Sequence, residues 1–519
     1  SVWMVAIAGS RMTNYARMLG FADWHFGILQ ALPFLGNLAQ LAATIVIERT
    51  GLRKQQFLQC ATLHRLLWLG IAVMPLVLPV PSASAVWAML ALFAISSFLA
   101  SFGAPAWWSW MGDLIPRRIR GRYMATRALI STAIRLPVVI SLGLLLDAVT
   151  RANEPRAITA ATEPTLLRVT MFIFAVAGVL GAVDILLFRR LREVVRSTYD
   201  RVREPGVRIE VARPARRGVL GPAGYALRYA GAAGRELLVR PLGDRVFRRT
   251  VLFGMLATFA MAVGAQFYWR NSLENLGFSQ FATDMLFLVF GPLAAMGSLR
   301  PLGRLVDRWG RRPVLILGTF LACFSVLPYF FASRHLPAPT GWIDTVNAAC
   351  TWLAGLLGRG PWRPLGPAAP VSAWLIMAAS PTIGAVGWTA VALGQQGIIL
   401  GFADGKGGSK YVAAFTALSS VGGVVGGLSG GAVAEALRFL QDAPLRLGPF
   451  LWNNWHATIV LSLAARVAAL LSLIGMPDPG SGRMRDMMRF MRANVYNNVM
   501  PRLAGLLRPF TAITRRRGD

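Results

Sequence analysis

Nine charged side chains fall inside stretches that are otherwise apolar: Arg11, Arg17, Arg65, Arg135, Arg168 and Arg466, with Asp147, Asp184 and Asp284. At bilayer depth a charge is costly, and it points to function or to a partner. Arg11, with Asn14 nearby, and Arg135 could hold an anion, because a guanidinium offers forked donors to a carboxylate or phosphate. An unpaired Arg135 would cost about 3 kcal/mol on insertion scales, so it is expected to face a cavity rather than lipid. Gln266 and Gln395, with Gln396 beside it, would add neutral polar groups to such a cavity. Asp284 is the carboxylate best placed to titrate a proton. For Arg11 a structural pair or outward snorkelling is the alternative. Arg466 and Asp184 read as structural.

A second constellation is Gly303, Asp307, Arg308, Gly310, Arg311 and Arg312. Gly303 would let two helices approach closely. Asp307, at a helix end, could face the positive dipole end of a neighbouring helix. The three arginines could pair with it, and such a cluster can hold one conformation closed and break in another. Glu48, Arg49 and Gly51 form a looser copy. The alternative is that these arginines only satisfy membrane topology and bind lipid head groups. No catalytic triad or nucleotide loop is visible, so no enzyme activity is expected. Cys60, Cys323, Cys350 and four scattered His give no disulfide framework or metal spacing, and no cofactor is expected.

The elements that must position these residues are membrane spans. The 519 residues are 55% hydrophobic and 15% charged, with a mean hydropathy of +0.51. A soluble domain carries about 25% charge, and about 20 apolar residues span a bilayer. Twelve apolar segments are predicted: 1–19, 26–47, 57–79, 86–111, 125–147, 166–188, 250–269, 280–299, 313–333, 371–397, 411–433 and 456–476. The chain opens without the basic region of a signal peptide.

The formal charge is +31. Taken alternately, linkers 48–54, 113–127, 189–249, 300–312, 404–410 and the tail 477–519 sum to +27, and the other set to +1. The positive-inside rule then puts both termini in the cytoplasm of a multi-pass inner-membrane protein. The same bias argues against nucleic-acid binding, since the charge follows topology instead of forming one face.

Two stretches repeat. Leu19-Gly20-Phe21-Ala22 precedes a span ending in Glu48-Arg49-Thr50-Gly51-Leu52-Arg53-Lys54. Leu276-Gly277-Phe278-Ser279 precedes one ending in Asp307-Arg308-Trp309-Gly310-Arg311-Arg312. This reads as a parallel internal repeat: a six-helix half at 1–188, a basic linker at 189–249, a second half at 250–476, and a basic tail at 477–519. The run Gly303 to Arg312 resembles the signature between the second and third helices of each half in the major facilitator superfamily. In the first copy Thr44, Glu48 and Leu52 depart from that pattern. Asp113-Leu114-Ile115-Pro116 with Arg120-Gly121-Arg122 resembles the family's loop between helices four and five. The resemblance implies an all-α fold of twelve transmembrane helices in two six-helix pseudo-repeats, and a cytoplasmic latch in a rocker-switch transporter. Span five has Arg135-Leu136-Pro137 instead of the Gly-Pro pattern of the drug–proton antiporters.

Three features are read as packing or surface elements. Gly422-Gly423, Gly426-Gly427 and Gly430-Gly431 would make one smooth helix face. Trp107, Trp108 and Trp110 read as an interfacial belt. Met484, Met487, Met488 and Met491 line one face of a basic amphipathic helix, suited to the membrane surface or a partner. Two functions are therefore expected. The first is a secondary active or facilitative transporter moving a small solute, an anion being one option, by alternating access. The alternative is a transport-inactive accessory or assembly subunit of a larger pigment-protein or respiratory membrane complex, docking through the 477–519 tail or the apolar loop 334–370.

Overall fold

The computed structural model describes residues 2–150, 163–193, 239–337, 370–403, 408–476, 481–494 and parts of 341–352. Most of the predicted linker 189–249, loop 334–370 and tail 477–519 lies outside these. Among the described residues, eleven helices are long and apolar enough to cross a membrane.

The predicted first segment is not among the eleven because it is broken. α1 (Val2–Ile7) and α2 (Ser10–Met18) meet at Gly9, whose φ is +76°. Glycine takes that conformation cheaply. A Cβ at Gly9 would also stand 3.1 Å from the Asp284 carboxylate. The remaining elements follow in order: α3 (Asp23–Asn37), α4 (Ala39–Thr50), α5 (Arg53–Val77), α6 (Ala83–Leu114), α7 (Arg117–Val149) and α8 (Pro164–Leu187). After the linker come α9 (Arg245–Arg270), α10 (Gln280–Trp309), α11 (Arg311–Phe324), α12 (Val371–Ala403), α13 (Gly408–Ala436), α14 (Asn454–Ser472) and α15 (Met484–Asn494).

Polar residues just outside the apolar runs start several helices. The side chains of Ser82, Asp244, Ser279 and Asn453 accept backbone N–H groups at the starts of α6, α9, α10 and α14, satisfying donors that have no partner within the helix. Gly51 ends α4 and Gly310 separates α10 from α11, both with positive φ. One departure from the all-α expectation is a hairpin, β1 (Leu445–Leu447) paired with β2 (Phe450–Trp452). Gly448, at φ +61°, supplies the turn.

α5 packs on α6 and α8, α9 on α13 and α14, and α11 on α12; α3 on α13 and α7 on α10 join the first six segments to the last six. The glycines of α13 face two neighbours, not one. A Cβ at Gly422, Gly426 or Gly430 would collide with backbone carbonyls of Met255, Phe259 and Val263 on α9. A Cβ at Gly427 or Gly431 would collide with α3 backbone at Ala31 and Gly27, and one at Gly423 with the Phe34 ring. Large apolar side chains such as Phe172, Leu187 and Leu471 stay exposed, as surfaces meant for lipid do.

Candidate functional site

The broken first segment leaves backbone groups that polar side chains complete. Arg11, on α2, donates through Nη1 to Asp284 Oδ2 at 2.5 Å and through Nη2 to the Val5 carbonyl at 2.9 Å. Ser10 N–H donates to Asp284 Oδ1 at 3.4 Å. A carboxylate therefore sits at the N-terminus of α2, where the helix dipole favours it. Neither Arg11 nor Asp284 is exposed. These two predicted cavity residues are thus paired with each other, across the two groups of segments.

Other cross-links gather near linkers 20–25, 149–165, 270–279 and 434–455. Arg17 pairs with Glu274 at 3.0 Å, and Arg270 pairs with Asp23 and Glu274. Asp23 also accepts from Gln441 and Asn454. Trp24 N–H donates to Glu435, and the Gln280 and Phe281 N–H groups donate to Asp147. Gln266 donates to Gln30 at 3.2 Å, so this predicted cavity residue also bridges the groups. These linkers carry almost no net charge, and this neutral end of the bundle is tied shut.

The basic end is arranged differently. Asp307 is exposed and, among the described residues, has no hydrogen bond or ion pair. The expected close approach at Gly303 is absent: a Cβ there would meet nothing within 4 Å. Arg311 crosses Gly397 and Gly401 near the end of α12. Arg312 has contacts of its own. The side chains of Glu48 and Arg49 lie outside the described set. Near the first copy, Arg53 pairs with Asp113 and donates to Ser109.

The tail helix occupies the second copy. Met487 is fully buried, and with Met484 and Met491 it joins the cluster of Leu302, Val314 and Leu317. Gly482 N–H donates to the Trp309 carbonyl at 2.8 Å, and the Arg308 guanidinium lies 4.2 Å from the centre of the Phe490 ring. The predicted Met face thus packs on its own chain, although Met488 remains 48% exposed. The Trp belt divides similarly: Trp108 is 62% exposed, whereas Trp110 is buried with Phe57 and Ile185.

Among the described residues, a cavity of about 670 Å³ is lined by the last six segments: α9, α10, residues 325–329 just after α11, α12 and α14. Its polar lining includes Tyr268, Ser325, Ser380, Gln396 and Arg466, beside Trp388 and Phe287. Arg466 is 3% exposed. It donates to Ser325 Oγ at 2.8 Å, to Tyr268 Oη at 3.1 Å and to the Ala322 carbonyl. None of Arg11, Asn14, Arg135, Gln266, Asp284 or Gln395 lines this cavity. Asn14 is buried and accepts from Arg17. Arg135 is half-buried on α7 with no hydrogen bond or ion pair among the described residues. From sequence Arg466 reads as structural, and its hydroxyl partners Ser325 and Tyr268 carry no signal of their own.

The family profile described as Major Facilitator Superfamily matches residues 4–342. The chain belongs to this superfamily. Solved superfamily folds resemble it over nearly its whole length. The nucleoside transporter NupG aligns with a TM-score of 0.53 at 10% identity, over 92% of this chain and 98% of that one. A D-xylose-proton symporter aligns at 0.53 and 13%, over 93% and 99%. The xylose transporter XylE from E. coli, in a partially occluded inward open conformation, aligns at 0.52 and 12%, over 93% and 98%. At such identities the likeness is one of fold. No curated protein matches the sequence.

Proposed function

We propose that this superfamily member is a transporter that moves a small solute through the bundle by alternating access, and that the structure is its inward-open state. The observation that carries the reading is an asymmetry. The ion pairs between first-six and last-six segments, Arg11–Asp284, Arg17–Glu274 and Asp23–Arg270, gather toward the neutral end. At the basic end Asp307 stands exposed, and among the described residues a Cβ at Gly303 would meet nothing within 4 Å. By the positive-inside rule the basic end is cytoplasmic. A rocker switch would break the first set of contacts and make pairs at Asp307, Arg308, Arg311 and Arg312. The cavity is lined by residues of the last six segments, and its volume suits a small organic ligand.

Against the accessory-subunit alternative stands the tail, whose Met face is already covered by α10 and α11. The test is counterflow in proteoliposomes, with a labelled nucleoside and D-xylose as first probes and a set of small organic anions as the second. Saturable uptake that Asp307→Asn slows is the expected result. Absence of substrate-dependent flux under every gradient would overturn the reading.

A further inference from the structure

Arg466 is a buried cation. Among the described residues no carboxylate pairs with it. Its visible partners are neutral: a carbonyl and two hydroxyls. Hydrogen bonds to neutral groups satisfy donors but leave the charge uncompensated, and an uncompensated charge at bilayer depth is costly. A guanidinium has five N–H donors, and among the described residues Nε–H has no partner. On the Nε–Nη2 edge, the one that takes a carboxylate in a fork, one hydrogen bond is visible, to Tyr268. Arg466 lines the cavity, and the Trp388 ring centre lies 5.6 Å from its guanidinium carbon. The rest of the lining is mostly apolar, with Phe287, Pro292 and Val326 among it.

We propose that this cavity takes an organic monoanion with an apolar body, its acid group held by Arg466 and its body against Trp388 and Phe287. The proposal rests on the reading of the cavity as a transport site, and it names the class of solute. The same chemistry could come from a soluble aryl acid or from a fatty acid of the bilayer.

The test uses the full chain in nanodiscs with two matched pairs, 2-naphthoate against 2-naphthamide and dodecanoate against dodecanamide, measured by calorimetry. At least one acid should bind about tenfold or more tighter than its amide, the size expected of a charge-assisted hydrogen bond. Which acid does so separates the soluble source from the lipid one. A smaller preference in both pairs, or no binding by either acid, overturns the proposal. Arg466→Gln should bring the acid to the affinity of the amide; a preference that survives in the folded variant overturns the assignment to Arg466. The contrast in the unaltered chain stands whether or not the variant folds. Flux separates the two readings: acid binding without flux removes transport and keeps the anion site, and flux of neutral solutes without acid preference does the reverse.

Discussion

Arg11 and Asp284, 273 residues apart in sequence, form an ion pair in which neither side chain is exposed. The pair sits where α1 ends and α2 begins, so one contact both mends a broken helix and binds α2 to α10. Asp284→Ala should therefore lower stability by about 3–5 kcal/mol, because it leaves Arg11 buried and uncompensated. The double variant Arg11→Met with Asp284→Leu should recover most of that loss. Thermal unfolding in mild detergent measures both, and an unchanged Asp284→Ala midpoint would sink the argument.

Asp307 calls for the opposite pattern. It is exposed and unpaired in this state, so Asp307→Asn should leave the unfolding midpoint within the range of an ordinary surface change, about 0.5 kcal/mol. Flux should nonetheless fall, because the pair would form only in the other state. Normal flux in a well-expressed Asp307→Asn protein would remove the latch.

Glycines in the two motifs should respond differently to one added methyl. Gly426→Ala puts a Cβ 2.6 Å from the Phe259 carbonyl, and overpacking of that kind costs about 1–3 kcal/mol. Gly303→Ala meets open space and should be silent in the same assay. Equal effects would mean that the α9–α13 contact is looser than described.

Orientation can be tested on a background with Cys60, Cys323 and Cys350 replaced by Ser. Arg446→Cys, on the hairpin at the neutral end, should react with an impermeant maleimide added to intact spheroplasts. Arg245→Cys, at the start of α9, should react only after lysis. The reverse pattern would invert the inward-open assignment.

The apolar spans and the superfamily were legible because each follows from local composition or a short motif. The partners of the charged residues were not. Asp284 stood out as a buried acid, but its partner lies 273 residues away, and no spacing rule reaches that far. The glycine run was read as one face, yet adjacent positions on a helix differ by about 100°. Gly426 and Gly427 must therefore address different neighbours, and they do: α9 and α3. Arg466 was undervalued because place in the span order says little about what a side chain reaches. Its anchors are Tyr268 on α9 and Ser325 at the end of α11.

The tail helix also sets an order of events during synthesis. Residues 481–494 leave the ribosome after α10 and α11 have been made, so the apolar cluster around Leu302, Val314 and Leu317 waits without Met487 until the tail helix emerges. A chain stalled or clipped before Met484 would carry that cluster uncovered at the basic end. Quality-control proteases and chaperones that patrol exposed apolar surface would then have a mark by which to tell a chain without its tail helix from one that carries it.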